Sequence, residues 1–366
     1  MKKVALFVLI TMLFLMSATP LRAQEARGTI LGRVTDPQDA IVPNADVKVI
    51  NEATGLTTAI KTNEQGNYQA LYLPLGKYKL SAEAKGFKRI LRDGIEVRVN
   101  DRLEINLVLQ VGEVSETVTV AAETPMLETA SISAGQVIDT RRVAELPLPH
   151  GEPYALMATA TGSAFTGDPG LDRPFEPSHI ANYAMGGARG LRNELTLDGA
   201  PAGASTANPR EVSASFVPPI DIVGEMKVQT AAFDASVGQT EGGAVSISLK
   251  SGSNQLHGTA YFNKLAPELN ANLFFANRTG QPIVDFDYNR WGASATGPLK
   301  IPKLYSGTNR TFFMYGYEGI RETRPRGSVN TVPTAAQRTG DLSGLLRAGA
   351  NYQIYDPSTR ATAPNG

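Results

Sequence analysis

The sequence predicts a mainly β protein, and three observations lead there. Apolar and polar residues alternate with period two in several short runs. Tyr78, Leu80, Ala82 and Ala84 are separated by Lys79, Ser81 and Glu83; Leu103, Ile105, Leu107 and Leu109 enclose Glu104 and Asn106; Val245, Ile247 and Leu249 enclose Ser246 and Ser248. This spacing gives an extended strand one dry face and one wet face. Turn formers are abundant, with 35 Gly and 23 Pro among 366 residues, which favours short strands over long helices. Apolar residues make up 42% and charged residues 19%, ordinary for a folded chain and too apolar for a disordered one. The length leaves room for two or three domains. A formal net charge of zero argues against a basic nucleic-acid binder. The absence of cysteine excludes a disulfide framework and a thiolate metal site.

Lys2 and Lys3 precede an apolar run, Val4 to Met16, and then Ser17-Ala18-Thr19-Pro20-Leu21-Arg22-Ala23-Gln24. This is the charged start, apolar centre and small-residue end of a secretory signal peptide, here residues 1–23. The run is shorter than the roughly 20 apolar residues of a spanning helix. An exported chain is expected, with no helical anchor in its mature form.

Residues 27–111 form the first expected domain. Gly28 to Val34 opens a series of β-like runs, with turns at Asp36-Pro37, Asn63-Glu64-Gln65-Gly66 and Leu75-Gly76. Several short strands at this spacing predict a small β-sandwich. The stretch "GRVTDPQDAIVPNADVKVINEATG", then Gly66 and Tyr68, Leu73-Pro74-x-Gly76-x-Tyr78 and the closing Gly86-Phe87, resembles a carboxypeptidase regulatory-like domain. The stretch contains no histidine, so a zinc-peptidase site cannot be assembled from it. An interaction or carbohydrate-binding-like module and a plain spacer are both open readings.

Residues 112–250 are expected to form an α+β domain. Glu116-Thr117-Val118-Thr119-Val120 is a short β-prone run that resembles the TonB box, the segment taken by TonB through strand addition. Such capture needs little more than an accessible extended segment, so a linker strand is equally compatible with these residues. "SAGQVIDTRRVAELPLPHGEPYALMATATG" predicts a strand, a helix ending near Leu146-Pro147 and a second helix ending near Gly162. "MGGARGLRNELTLDGAPAG" and "IVGEMKVQTAAFDASVGQTEGGAVSISLKSG" follow. In this order the motifs resemble the plug of TonB-dependent receptors, and with the preceding sandwich they resemble the Oar-like receptors. Gly186-Gly187-x-Arg189-Gly190 lacks the Lys-Ser/Thr and the spacing of a phosphate-binding loop. Its glycines suit tight turns and close packing. Arg189, Arg192, Glu194 and Asp198 are candidates for plug-to-barrel contacts, with solvated loop charges as the alternative.

Residues 251–366 are expected to begin a transmembrane β-barrel. Strands are predicted over Leu256–Lys264, Asn289–Leu299 and Thr311–Arg321. Phe312, Phe313, Tyr315, Tyr317 and the single Trp291 are placed as in an interfacial aromatic girdle, although a soluble sheet could bury the same rings. "NQLHGTAYFNK", "LNANLFFANR" and "TVPTAAQRTGDLSGLL" resemble the first strands and first long loop of Oar-like receptors. Closing such a barrel takes about 22 strands of about 9 to 11 residues, far more than residues 256–366 supply. An N-terminal fragment with an incomplete barrel is therefore expected.

The resemblance implies a TonB-dependent outer-membrane receptor or transporter for a bulky solute, a carbohydrate, peptide or similar. Its partners would be TonB, outer-membrane lipid and an unknown extracellular ligand, and its N-terminal sandwich would be periplasmic. The alternative is a surface adhesion or carbohydrate-binding protein that uses the sandwich alone. No catalytic, cofactor or metal residues are nominated. His150, His179 and His257 lack ligand spacing, and neither G-x-S-x-G nor H-E-x-x-H occurs.

Overall fold

The alternating runs of the first domain become two facing sheets. The computed structural model describes residues 27–113, 117–121, 134–146, 148–167, 180–205, 211–233, 237–238, 240–272, 274–323, 330–349 and 358. The expected signal peptide lies outside them. The first nine strands are β1 (Gly28–Thr35), β2 (Asp46–Asn51), β3 (Thr57–Lys61), β4 (Asn67–Leu73), β5 (Gly76–Glu83), β6 (Arg89–Val97), β7 (Arg102–Glu104), β8 (Leu107–Val108) and β9 (Thr117–Ala121). One sheet has the order β4-β1-β7 with β8 also on β1, and the other has the order β3-β2-β5-β6-β9. Inward residues of both sheets, among them Ile30, Val47, Val49, Tyr78, Leu80, Ile95, Leu103 and Leu107, make one core. Each large apolar side chain buried there contributes about 1.5–3 kcal/mol.

The run Leu103–Leu109 departs from the expected continuous strand. It breaks at Ile105 and Asn106, between β7 and β8. Gly32 lets the Ile105 carbonyl approach so closely that a Cβ at Gly32 would lie 1.9 Å from that oxygen. The break is sealed by other bonds. Ile105 N donates to Leu31 O at 2.7 Å, Arg33 N donates to Asn106 Oδ1 at 2.8 Å, and the buried Tyr68 hydroxyl donates to Ile105 O at 2.6 Å. Burial pushes that hydroxyl well above the ordinary tyrosine range.

A second core holds together the region whose motifs resemble a plug, called the plug below, including Ile138, Leu156, Met157, Tyr183, Leu195, Met226, Val228, Val245 and Ile247. Its strands are β10 (Ala134–Ile138), β11 (Ser163–Phe165), β12 (Tyr183–Met185), β13 (Glu194–Leu197), β14 (Ala200–Pro201), β15 (Gly203–Ser205), β16 (Val212–Ala214), β17 (Val223–Ala231) and β18 (Ala244–Leu249). The main sheet has the order β10-β17-β18-β13-β14, while β11 pairs with β12 and β15 with β16. β18 runs antiparallel to β17 and parallel to β13. The expected first helix spans Thr140–Glu145, is capped by Asp139 and stops at Leu146, where Pro147 disfavours continuation. The expected second helix is a 3-10 segment, Pro153–Thr159, capped by Glu152.

β18 also differs from its sequence pattern. Alternation predicts a wet face at Ser246 and Ser248, yet both are buried along with Val245 and Ile247. Lys227 and Gln229 on β17 are buried as well. Both faces of this sheet are therefore covered.

The last strands are β19 (His257–Leu265), β20 (Asp287–Pro298), β21 (Lys300–Ile301), β22 (Tyr305–Ser306) and β23 (Phe312–Thr323). β19, β20 and β23 form a three-stranded sheet in that order, which does not close into a barrel. β21 and β22 make the short hairpin between β20 and β23. Alternation sorts the two faces: Phe262, Trp291, Tyr315 and Tyr317 are exposed, whereas Arg290 is buried. The chain divides into two compact units, Met1–Asn263 with Asn289–Ile320, and Lys264–Tyr288 with Arg321–Gly366. The second carries short helices at Phe274–Arg278 and Ala335–Arg338, the latter opened by a Thr334/Gln337 capping box. No helix among the described residues is long and apolar enough to cross a membrane.

Candidate functional site

Thr117 to Val120 of the TonB-box candidate lie on β9, and Glu116 lies outside the described residues. β9 runs parallel to β6, with register pairs from Arg89↔Thr117 to Asp93↔Ala121. It closes one end of its sheet, so one side of its backbone faces β6 and the other has no strand partner among the described residues. The opposite edge of that sheet is β3, which is largely exposed.

β6 leads into a turn that sits on the plug sheet. Asn100 takes a left-handed conformation there, with φ 55°, which asparagine tolerates better than most residues. Arg98 N donates to Asp101 Oδ2 at 3.0 Å. The turn reaches out through three polar contacts. Val99 N donates to Glu225 Oε2 at 3.0 Å, Asn100 Nδ2 donates to Ser246 Oγ at 3.2 Å, and Lys227 Nζ lies 3.7 Å from Asp101 Oδ1 with side chains only 3% and 7% exposed. Thr196 Oγ1 donates onward to Ser246 Oγ at 3.0 Å. This docked turn is what covers the polar face of β17 and β18. A second tie joins Asn254 N to Ala53 O at 3.1 Å, beyond the end of β2.

Burial at this dock raises the Glu225 carboxyl above its ordinary value of 4.5; the Val99 amide opposes the shift, and Glu96 and Asp139 add to it against Arg98. The folded state thus binds this proton more tightly than the unfolded state. The resulting penalty is absent below pH 4.5, grows as pH rises through the raised value and is complete above it. Glu225→Gln keeps an acceptor for Val99 and removes the charge. Its melting temperature is expected to exceed that of the parent at pH 7, and the gap is expected to close as the pH approaches 4.5. A constant gap across that range, in melts followed by circular dichroism, would contradict the assignment.

Of the four residues nominated for plug-to-barrel contacts, Glu194 opens β13 and Arg189, Arg192 and Asp198 lie in the loops that flank it. Arg192 Nε lies 3.9 Å from Glu241 Oε2. Glu194 Oε2 accepts from Gly238 N at 3.1 Å. Asp198 Oδ1 accepts from Leu249 N at 2.8 Å and from Ser248 Oγ at 3.3 Å. Arg189 is exposed in its turn. These bonds stay inside the plug, where they pin β13 to the ends of β18. Asn193, which was not nominated, joins them: its Nδ2 donates to Tyr183 O at 2.6 Å and its Oδ1 accepts from Gly243 N at 2.9 Å.

On the last strands a polar cluster faces the plug. Arg290 on β20 donates from Nε and Nη2 to Glu318 Oε2 on β23, at 2.9 and 2.5 Å. The Tyr261 hydroxyl on β19 donates to the same oxygen, and the guanidinium lies 5.4 Å from the centre of the Tyr261 ring. This cluster faces Gly151 of the plug, where a Cβ would come within 1.2 Å of Arg290 Nη1. Thr259 Oγ1 donates to Asp221, and the Ile222 side chain packs on Gly316. Arg290 carried a usable signal, since it is a charge spaced with Gly292 on the face opposite Trp291. Asp101 and Lys227 carried none, because each reads as a solvated charge until two distant segments meet. The outer face of the β4-β1-β7 sheet also holds an open polar depression of about 1120 Å³, lined by Arg33, Asn67, Gln69, Glu104 and Asn106 among others. No cluster of residues able to hold a metal ion occurs among the described residues.

Comparison with known proteins bears on this arrangement. Residues 29–110 match the carboxypeptidase regulatory-like domain family, and residues 248–366 match the outer membrane beta barrel domain family. The TonB-dependent transporter Oar of Myxococcus xanthus is 26% identical over 288 residues, which is 76% of this chain. The chain is a homologue of a TonB-dependent transporter. It spans 26% of that relative's length. Its sandwich is a carboxypeptidase regulatory-like domain, and its last strands belong to an outer-membrane β-barrel domain that is not closed here. Both expectations from the sequence are borne out, as is an outer-membrane location. Among solved structures, the outer membrane transporter YddB from Escherichia coli is similar at 14% identity and a TM-score of 0.36, over 45% of this chain and 24% of that one. The siderophore receptor PirA from Pseudomonas aeruginosa is similar at 18% identity and a TM-score of 0.31, again over 45% and 24%.

Proposed function

We propose that the intact protein is a TonB-dependent outer-membrane receptor that binds a bulky solute, such as a carbohydrate or peptide, and admits it to the periplasm. TonB would take hold of residues 116–120. The observation that carries this reading is the placement of β9: an extended segment at a sheet edge, immediately ahead of the plug. Strand addition uses main-chain donors and acceptors on an edge with an open side, and β9 offers them. The plug residues supply turns and internal staples, which suits an element that holds a pore shut. The polar depression on the sandwich favours an added role in holding a hydroxyl-rich ligand, since its amides and charges offer both donors and acceptors. An adhesion protein built on the sandwich alone leaves the plug and the barrel strands without a purpose.

A photo-crosslinking residue at Val118 or Thr119, with purified TonB C-terminal domain, is expected to give a covalent adduct. The same residue at Lys61, on the opposite edge strand β3, is expected to give none. Adducts from Lys61 in place of positions 118 and 119 would move TonB to the other edge and overturn the assignment of residues 116–120.

A further inference from the structure

We propose that β6 and its turn form the mechanical link between β9 and the plug, so that load applied to β9 reaches the plug sheet through Val99, Asn100 and Asp101. The proposal rests on the reading of residues 116–120 as the segment TonB takes, and adds the route by which a pull there would act. Two connections lead from β9 to the plug. One is the chain itself, through residues 122–133 to β10. The other is lateral: β9 pairs in register with Arg89 to Asp93 of β6, β6 continues to Val97, and the next residues are the docked turn.

Three features make the lateral route stiff. A parallel ladder pulled along its length is loaded in shear, so its hydrogen bonds share the force. The turn at the far end of β6 contacts three adjacent plug strands: Glu225 and Lys227 on β17, Ser246 on β18, and Thr196 on β13 through Ser246. Lys227 is in register with Val137 of β10 on one side and Ser246 of β18 on the other, so it stands in the middle of the sheet. The Asp101–Lys227 pair is almost fully buried. Separating it in place would leave two desolvated charges, which makes such a contact resist opening far more than an exposed pair does. The sandwich and the plug accordingly fall in one compact unit.

The test pulls on the chain directly. Azide-bearing residues at Val118 and at Gly238 accept handles for optical tweezers; a side chain at Gly238 meets nothing within 4 Å. The parent is expected to show a high-force first rupture. Asp101→Asn preserves the shape of the turn but removes the buried carboxylate that faces Lys227, and the high-force event is expected to disappear. The chain has no cysteine of its own, so Asn100→Cys with Ser246→Cys can staple the dock. Oxidised, the stapled chain is expected to rupture at higher force than the parent, and reductant is expected to reverse the gain. This comparison stays informative even if Asp101→Asn folds poorly. Equal first-rupture forces for the oxidised and reduced staple would overturn the link. Because the handle at Val118 replaces TonB, that result is separate from a failure of TonB to crosslink at positions 118 and 119.

Discussion

Gly32→Ala is expected to split β1 from the β7–β8 run and destabilise the sandwich by about 3 kcal/mol, at the upper end for overpacking a core. The added methyl would lie 1.9 Å from Ile105 O and 2.6 Å from Ile105 C. Both are backbone atoms, so no side-chain rotation relieves the clash. Moving them apart strains the bonds that seal the break, from Ile105 N to Leu31 O, from Arg33 N to Asn106 Oδ1 and from the Tyr68 hydroxyl to Ile105 O. Each such bond contributes about 1 kcal/mol. Amide exchange at residues 103–109 is the direct readout and is expected to lose protection. Gly238→Ala, where the methyl meets nothing within 4 Å, is the matched control and is expected to leave those amides unchanged. Full protection in the Gly32 variant would show that β7 and β8 can shift without cost.

Much of this architecture was legible in the residues because period two reports burial directly. Tyr78, Leu80 and Ala82 point inward as their spacing implies, and so do Leu103, Ile105, Leu107 and Leu109. Leu256–Lys264, Asn289–Leu299 and Thr311–Arg321 fall within a residue or two of β19, β20 and β23. The interruption at Ile105 and Asn106 was not legible. It depends on a glycine more than seventy positions earlier, and the alternation of Leu103 to Leu109 runs through it unbroken.

Contacts between segments were the least legible part. Arg189, Arg192, Glu194 and Asp198 stood out because they cluster in sequence around turns, and that local crowding is what the plug uses to bind its own strands. Asp101, Glu225 and Lys227 came together only when the sandwich settled on the plug. The pattern Val245-Ser246-Ile247-Ser248 has the form of a half-buried strand. It could not disclose that Asn100 and Asp198 would supply the partners for those serines in place of water. A polar residue on an alternating strand is written the same way whether it faces solvent or a second domain. On β19 the alternation of Phe262 with Tyr261 marks two faces without saying which is inner, and the Glu318 carboxylate decides it by holding Tyr261 inward.

Arg290→Met is expected to cost about 3–5 kcal/mol, because it strands the nearly buried Glu318 carboxylate without its cation. The Arg290 side chain is 3% exposed and that of Glu318 11%, so water cannot take over the lost contacts. Gly151→Ala attacks the same point from the plug. Its methyl would come within 1.2 Å of Arg290 Nη1, and its φ of 66° adds about 1–2 kcal/mol of backbone strain for any residue with a Cβ. An arginine held by two bonds to Glu318 cannot swing away without giving up at least one of them, so the two substitutions act on one interaction. Together they are expected to cost less than the sum of the separate effects. Removing the guanidinium opens the space that the new methyl needs, and only the backbone strain remains to be added. Urea unfolding followed by the emission of Trp291, the only tryptophan in the sequence and the neighbour of Arg290, measures all three variants with one probe. Strict additivity would mean that Gly151 and Arg290 do not share a contact, and the plug would then meet β20 through some other residue.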